Sequence, residues 1–271
     1  MNEFIAAAIQ MTSSDDLADN LRTANRLICE AANKGAKLVL LPENFAFMGR
    51  EDHDKLALAE PDGLGPIQTF LADCARHHQL WLVGGSVPLQ SHNPEKIRAA
   101  CLIYDTQGRR VARYDKVHLF DVDVPGSDES YRESDTIEAG DRPVLLNTPF
   151  GKLGLTICYD LRFPEYIRLL AKKGLEILLV PAAFTARTGA AHWEVLLRAR
   201  AIENQCYVIA ANQGGIHANG RETYGHSMII DPWGKVLARL AQTPGVCTAN
   251  IDLQHLERVR NTFPALQHCR F

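Results

Sequence analysis

A chain of 271 residues is long enough to bury a large core and could form one large domain or two small ones. With 46% hydrophobic and 23% charged residues it has the composition of a globular protein, and a net charge of -3 provides no basic field for nucleic acid, arguing against such a partner. The N-terminal MNEFIAAAIQM has an acidic residue ahead of a short apolar run, so neither signal peptide nor membrane span is expected, and seven irregularly spaced cysteines in a chain that needs no staples point to a reducing, cytoplasmic setting.

In chain order, FIAAAIQM (4–11) reads as a buried strand, and Ser13 and Ser14 are N-cap candidates for a helix that stops near Gly35. KLVLLPE is an apolar strand that ends abruptly at Pro42 and Glu43. GPIQTFLADCARHH reads as a helix, LWLVGGSVPL (80–89) as one strand, and AACLIYDTQGRRVARYDKV as a hairpin turning near Gln107 and Gly108. Residues 118–142 are polar and irregular, and a loop of that length in a compact domain is more often functional than idle. A second hairpin turns at Phe150 and Gly151 and runs into ICYD. A helix starting at Pro164, a strand EILLVPAAF, a helix AAHWEVLLRARAIENQ (190–205) and a strand YVIAANQGG follow. A third hairpin turns at Pro232 and Gly234, and VCTANIDL is the last strand. Interleaved strands and helices give an α/β layered class, and no linker, charge block or repeat divides residues 1–271, so a single domain is expected.

No G-x-S-x-G elbow, Walker A sequence or well-placed G-x-G-x-x-G occurs. Cys74, His77 and His78 lack a second ligand pair at a sensible spacing and read as helix-face residues, so no metal is expected. What stands out is a carboxylate, an ammonium and a thiol at three strand ends: Glu43, Lys116 and Cys158. Each alone has a bland explanation, since cysteine is among the most buried residue types and lone charges at strand ends are usually solvated. Together they supply what thiol catalysis requires. A thiol is mostly protonated at neutral pH and needs a base or a nearby cation, and the anion formed when it attacks a carbonyl or nitrile needs preorganised donors. Glu43 suits the first need; Lys116 and the backbone N–H of Tyr159 suit the second.

LPENF around Glu43, YDKVHLFDVDVPG around Lys116 and GLTICYDLRFPE around Cys158, separated by 73 and 42 residues, resemble the three signatures of the nitrilase superfamily of carbon-nitrogen hydrolases along essentially the whole chain. The resemblance implies a four-layer αββα sandwich of two mixed sheets flanked by helices. It also implies homodimers or higher homo-oligomers and hydrolysis of small amides or nitriles without a cofactor. Carried onto this sequence, it makes Glu43 the general base, Cys158 the nucleophile and Lys116 the stabiliser of the tetrahedral intermediate. It adds a second glutamate from the loop before the nucleophile, at Glu133, with Glu129 and Glu138 as competitors.

HLFDVDVPG, TGAAHWEVLLRARAIENQCYV and YGHSMIIDPWGKV are similar to the paired branches of omega-amidases and deaminated glutathione amidases, whose substrates are 2-oxo acids with a remote amide. Gln213 and the Gly-rich loop after it incline the resemblance to the second branch. Substrate contacts are expected from PAAFTARTGAAHW: Arg187 for a carboxylate, Thr185 or the N–H groups of Ala183 and Phe184 for the carbonyl. Asp160 and Arg162 are expected to brace the turn after Cys158 by local pairing. A binding or assembly module without catalysis would not need all three of Glu43, Lys116 and Cys158. A redox thiol protein would want a resolving cysteine near Cys158, and none is near in sequence.

Overall fold

The computed structural model describes residues 2–126 and 129–270. Its two large sheets each grow outward from a short parallel centre. The first is ordered Gly245–Asp252, Glu3–Gln10, Ala36–Leu40, Trp81–Val83, Ile97–Tyr104 and Val87–Gln90, with Arg110–Asp115 also paired to Ile97–Tyr104. The second is ordered Val236–Arg239, Met228–Ile230, Tyr207–Asn212, Ile177–Ala182, Gly151–Leu155 and Leu145–Thr148. In the first, Glu3–Gln10, Ala36–Leu40 and Trp81–Val83 run parallel; in the second, Gly151–Leu155, Ile177–Ala182 and Tyr207–Asn212 do, and antiparallel strands complete both.

The period-two alternation of FIAAAIQM sets the layers, because successive side chains of a strand face opposite ways. Ala6 and Ala8 point into the core shared with the second sheet, among Leu153, Leu155 and Leu179. Ala7 and Ile9 point the other way, among Leu27, Ile28, Ile67 and Leu71 of helices α1 (Leu17–Asn33) and α2 (Pro66–His78). Helices α3 (Pro164–Lys172) and α4 (Ala186–Asn204) cover the second sheet through Ile167, Leu170, Trp193 and Leu197. The result is the expected αββα sandwich. No helix among the described residues is long and apolar enough to cross a membrane.

Several local expectations are corrected. The cap of α1 is Asp16, whose side chain accepts from the Asp19 N–H; Ser13 is buried and bonds Phe45 and Gln213 instead. LWLVGGSVPL is two strands, broken at Gly84 and Gly85. Helix α4 starts earlier than the sequence suggests, because Thr185 Oγ1 caps it. The polar segment 118–142 contains a short hairpin, Asp121–Asp123 with Ser130–Arg132, followed by a 3-10 turn at Glu133–Asp135. Two elements have weak sequence signals. Helix α5 (Leu253–Thr262) buries Leu256 and Val259 as its core contacts, too few for a clear stripe. The hairpin Gly214–Ile216 with Glu222–Tyr224 follows directly on the strand Tyr207–Asn212.

Gly85 connects fold to site. Its φ of 54 lies in the left-handed region, and a Cβ there would overlap the carbonyl of Pro42, the residue before Glu43. Gly85→Ala should therefore lower stability by about 1–3 kcal/mol in chemical denaturation. It should also lower kcat with little change in KM, because the backbone it displaces carries Glu43.

Candidate active site

Glu43 stands two residues beyond the buried Leu41, on a corner fixed from both sheets. Leu41 N donates to Val83 O at 3.0 Å, and Asn44 N, at a positive φ of 56, donates to Ser86 Oγ at 2.9 Å. From the opposite sheet Gln213 Nε2 donates to Glu43 O at 2.9 Å and to Ser13 Oγ at 2.8 Å. Lys116 follows the strand Arg110–Asp115 and is pinned by Lys116 N to Ala99 O at 3.0 Å and Gly140 N to Lys116 O at 2.7 Å.

The Lys116 side chain is 1% exposed, and its Nζ lies 2.8 Å from Glu43 Oε1 and 2.7 Å from Glu133 Oε1. Glu133 Oε2 in turn accepts the Phe120 N–H at 2.7 Å. Of the three glutamates the sequence left open, Glu133 reaches Lys116; Glu138 pairs with Arg98, and Glu129 accepts from Tyr131. Burial alone would drive the Lys116 ammonium down, but the negative charges of Glu133 and Glu43 outweigh it and hold the group well above the ordinary lysine range. Burial likewise opposes ionisation of Glu133, yet Lys116 and then Lys55 keep its carboxyl below the ordinary range. The lysine is a fixed positive charge with two fixed counterions.

Cys158 is not a strand residue. The strand Gly151–Leu155 ends first, Thr156 Oγ1 ties off to Leu179 O at 2.7 Å, and Cys158 opens a 3-10 turn at a φ of 48. A left-handed backbone is costly for a non-glycine residue and persists when its surroundings overdetermine it. Here Asp160, fully buried, supplies that constraint. Its Oδ2 accepts Ile157 N at 2.8 Å and Tyr114 OH at 2.6 Å, and its Oδ1 accepts His118 N at 3.1 Å with His118 Nδ1 at 2.7 Å. Tyr114 and His118 flank Lys116 in sequence, so one carboxylate locks the nucleophile turn to the lysine segment. Arg162 does not share this role, contrary to expectation. It stacks over Phe184 at 5.2 Å and Tyr159 at 5.8 Å and faces the cleft.

Glu43, Lys116, Glu133 and Cys158 line one cleft. Burial first, then the Glu43 charge, raises the Cys158 thiol well above its usual pKa; Lys116 and a hydrogen bond with the Ala183 backbone pull the other way. Cys74, Cys101, Cys206 and Cys247 are pushed up to about 12, with burial the leading cause. What distinguishes Cys158 is that it lines the cleft together with Glu43 and Lys116. Tyr159, Ala183, Phe184 and Thr185 also line the cleft, but Phe184 N–H is already given to Asn212 Oδ1 at 3.0 Å and Thr185 Oγ1 to the α4 cap. Arg187 is not brought to the cleft; its Nη1 donates to the Gly126 carbonyl. Besides Lys116, the cations that line it are Lys55, Arg132, Arg162 and Arg221. Lys55 lies in the short 3-10 helix Asp54–Leu58 and Arg221 in a hairpin turn, where a charged residue has no long periodic signal to set it apart from solvated surface.

The carbon-nitrogen hydrolase family model matches residues 5–261. This chain belongs to the carbon-nitrogen hydrolase family. It is 47% identical over 271 residues to a deaminated glutathione amidase of Synechocystis sp., covering 99% of this chain and 98% of the relative. Among solved structures it resembles the Caenorhabditis elegans NitFhit protein, with a TM-score of 0.92, 40% identity and coverage of 100% of this chain and 66% of that one. It also resembles Saccharomyces cerevisiae Nit3, a member of branch 10 of the nitrilase superfamily, with a TM-score of 0.89, 31% identity and coverage of 100% and 97%. This carbon-nitrogen hydrolase is therefore an amidase by relationship.

Two outcomes test the electrostatics of the site. Replacing Glu43 by Gln removes a charge that opposes thiolate formation, so the Cys158 titration, read as the thiolate absorbance lost in C158A, should move to lower pH in E43Q. Asp160→Asn would aim an amide donor at groups that already donate; it should cost about 2–4 kcal/mol of stability. It should also lower kcat, with the Cys158 titration displaced as the turn loosens.

Proposed function

We propose that this hydrolase uses Cys158 to cleave the amide of a 2-oxo acid, deaminated glutathione, through a thioester intermediate. The single observation that carries the mechanism is the Glu43–Lys116–Glu133 ion cluster beside the Cys158 thiol in one cleft. The substrate choice rests on the relatives at 43–47% identity that are named deaminated glutathione amidases.

The resting thiol is protonated, so attack and deprotonation occur together. As Cys158 Sγ bonds to the carbonyl carbon, its proton passes to Glu43 and the carbonyl electron pair moves onto oxygen. The new oxyanion meets the Lys116 ammonium and the Tyr159 N–H, which has no acceptor among the described residues. When the carbon–nitrogen bond breaks, Glu43 returns the proton to nitrogen and the amine departs. Water then enters, loses a proton to Glu43 and attacks the thioester; the carbon–sulfur bond breaks and Cys158 is reprotonated. Glu133 serves by holding Lys116 in place through two anchored oxygens.

Residues 1–271 act in this reading as one hydrolase domain without a cofactor, in a reducing cytoplasm that keeps Cys158 a thiol. A homodimer is supported by α4, which presents Val195 at 68% and Ile202 at 50% exposure, and by Trp233 and Phe263, also exposed, whose ring centroids lie 5.9 Å apart. Val195→Glu with Ile202→Glu should give monomers in analytical ultracentrifugation if that face is the interface.

Cys158→Ala should abolish product release while leaving the unfolding midpoint nearly unchanged. Glu43→Gln should lower kcat about 10²–10⁴-fold, and Glu133→Gln at least about tenfold with KM largely retained. The decisive comparison is kcat/KM for deaminated glutathione, 2-oxoglutaramate and a simple nitrile. Preference for 2-oxoglutaramate would make the enzyme an omega-amidase instead, and turnover of the nitrile alone would remove the amidase reading.

A further inference from the structure

One wall of the cleft is a row of rings with a guanidinium at each end. Tyr131 and Phe120 have ring centroids 5.2 Å apart, and Phe120 and Tyr159 5.0 Å apart. At the Tyr159 end sits Arg162, on the same short turn as the nucleophile. At the Tyr131 end sits Arg221, its Cζ 4.8 Å from the ring centroid.

Arg221 belongs to the turn of the hairpin Gly214–Ile216 with Glu222–Tyr224, whose neighbouring residues 218–220 are exposed, so it stands at the mouth of the cleft. It is held there. Nη2 donates to Ala183 O at 2.7 Å, and Asn219 Nδ2 ties the turn to Gly49 O across the opening at 3.1 Å. Yet its Nε is buried and has no hydrogen-bond partner among the described residues, and no carboxylate lies within ion-pair distance of it among them. Buried guanidinium donors are normally satisfied, and Nε with an adjacent Nη forms the fork that fits a carboxylate through two parallel hydrogen bonds. With Nη2 already given to Ala183 O, the Nε of this fixed guanidinium is the donor still without an acceptor, and a carboxylate oxygen would supply it.

We propose that Arg221 binds a carboxylate at the far end of the leaving amine. The enzyme would then select amides of 2-oxo acids whose amine part ends in a carboxylate. This deepens the function proposed above and rests on it. The assignment of ends follows from position. Arg162 is carried by the nucleophile's own turn, close to where the acyl part must lie, whereas Arg221 is carried by a separate hairpin at the rim, on the way out for the amine. A dipeptide amine part extends about 7 Å beyond the scissile nitrogen, long enough to carry its terminal carboxylate away from the reacting centre. A leaving group of ammonia has nothing to offer Arg221.

The test compares deaminated glutathione with the same molecule amidated at its glycine carboxylate, and with 2-oxoglutaramate. The unaltered enzyme should favour the free carboxylate over the carboxamide by about tenfold or more in kcat/KM, chiefly through KM. Arg221→Met should bring deaminated glutathione down to the level of its carboxamide while leaving the carboxamide and 2-oxoglutaramate within about twofold of their original values. Arg221→Lys, which keeps the charge and loses the fork, should fall between. Equal turnover of acid and carboxamide by the unaltered enzyme overturns the inference without needing a variant. So does an equal loss on all three substrates in R221M, which would mark Arg221 as a brace for Ala183. Absence of any turnover of deaminated glutathione by the unaltered enzyme overturns instead the function on which the inference rests.

Discussion

An ammonium stripped of water is tolerated in a protein interior only when opposite charges replace its hydration, and Lys116, 1% exposed between Glu43 and Glu133, meets that condition from two sides. The arrangement constrains everything near it. Removing either carboxylate leaves the buried ammonium with one counterion in place of two, so the loop before the strand Gly151–Leu155 must present Glu133 and the corner after Leu41 must present Glu43. The pair of counterions also keeps the lysine charged across the working pH range, available to an oxyanion at no cost of reorganisation.

The nucleophile reaches this cluster through a different device. Cys158 sits at a backbone conformation that few side chains favour, and the four hydrogen bonds gathered by Asp160 hold it there. Because two of the donors, Tyr114 and His118, flank Lys116, the geometry between thiol and ammonium is set by a buried carboxylate that does not face the substrate. The strain at Cys158 and the satisfaction of Asp160 are one structural fact seen from two residues.

Much of this was legible in the sequence because the groups concerned break a pattern: a carboxylate, an ammonium and a thiol where apolar strands should end in turn residues. The αββα layers were legible through the family resemblance that the three motifs carry, and the interleaving of strands and helices gave only the α/β class. What stayed hidden was whatever depends on where a loop goes. Arg187 looked like the carboxylate ligand by proximity in sequence, but helix α4 begins at Ala186 and carries it to Gly126. Arg162 looked like a partner for Asp160, but the turn sends the two side chains in different directions, one into the core and one into the cleft. Lys55 lies in a five-residue 3-10 helix and Arg221 in a hairpin turn, and no long periodicity separates such a cation from one on the surface.

Glu43 and Lys116 come from the first sheet and Cys158 from the second, and the amide of Gln213 bridges them across 170 residues of chain. In the proposed mechanism neither sheet by itself holds a complete site: a chain with one sheet formed would carry Cys158 without Glu43, or Glu43 without Cys158. Such long-range pairing is slow to assemble, so in the proposed mechanism acyl transfer would report the joining of the two halves more directly than any change in secondary structure.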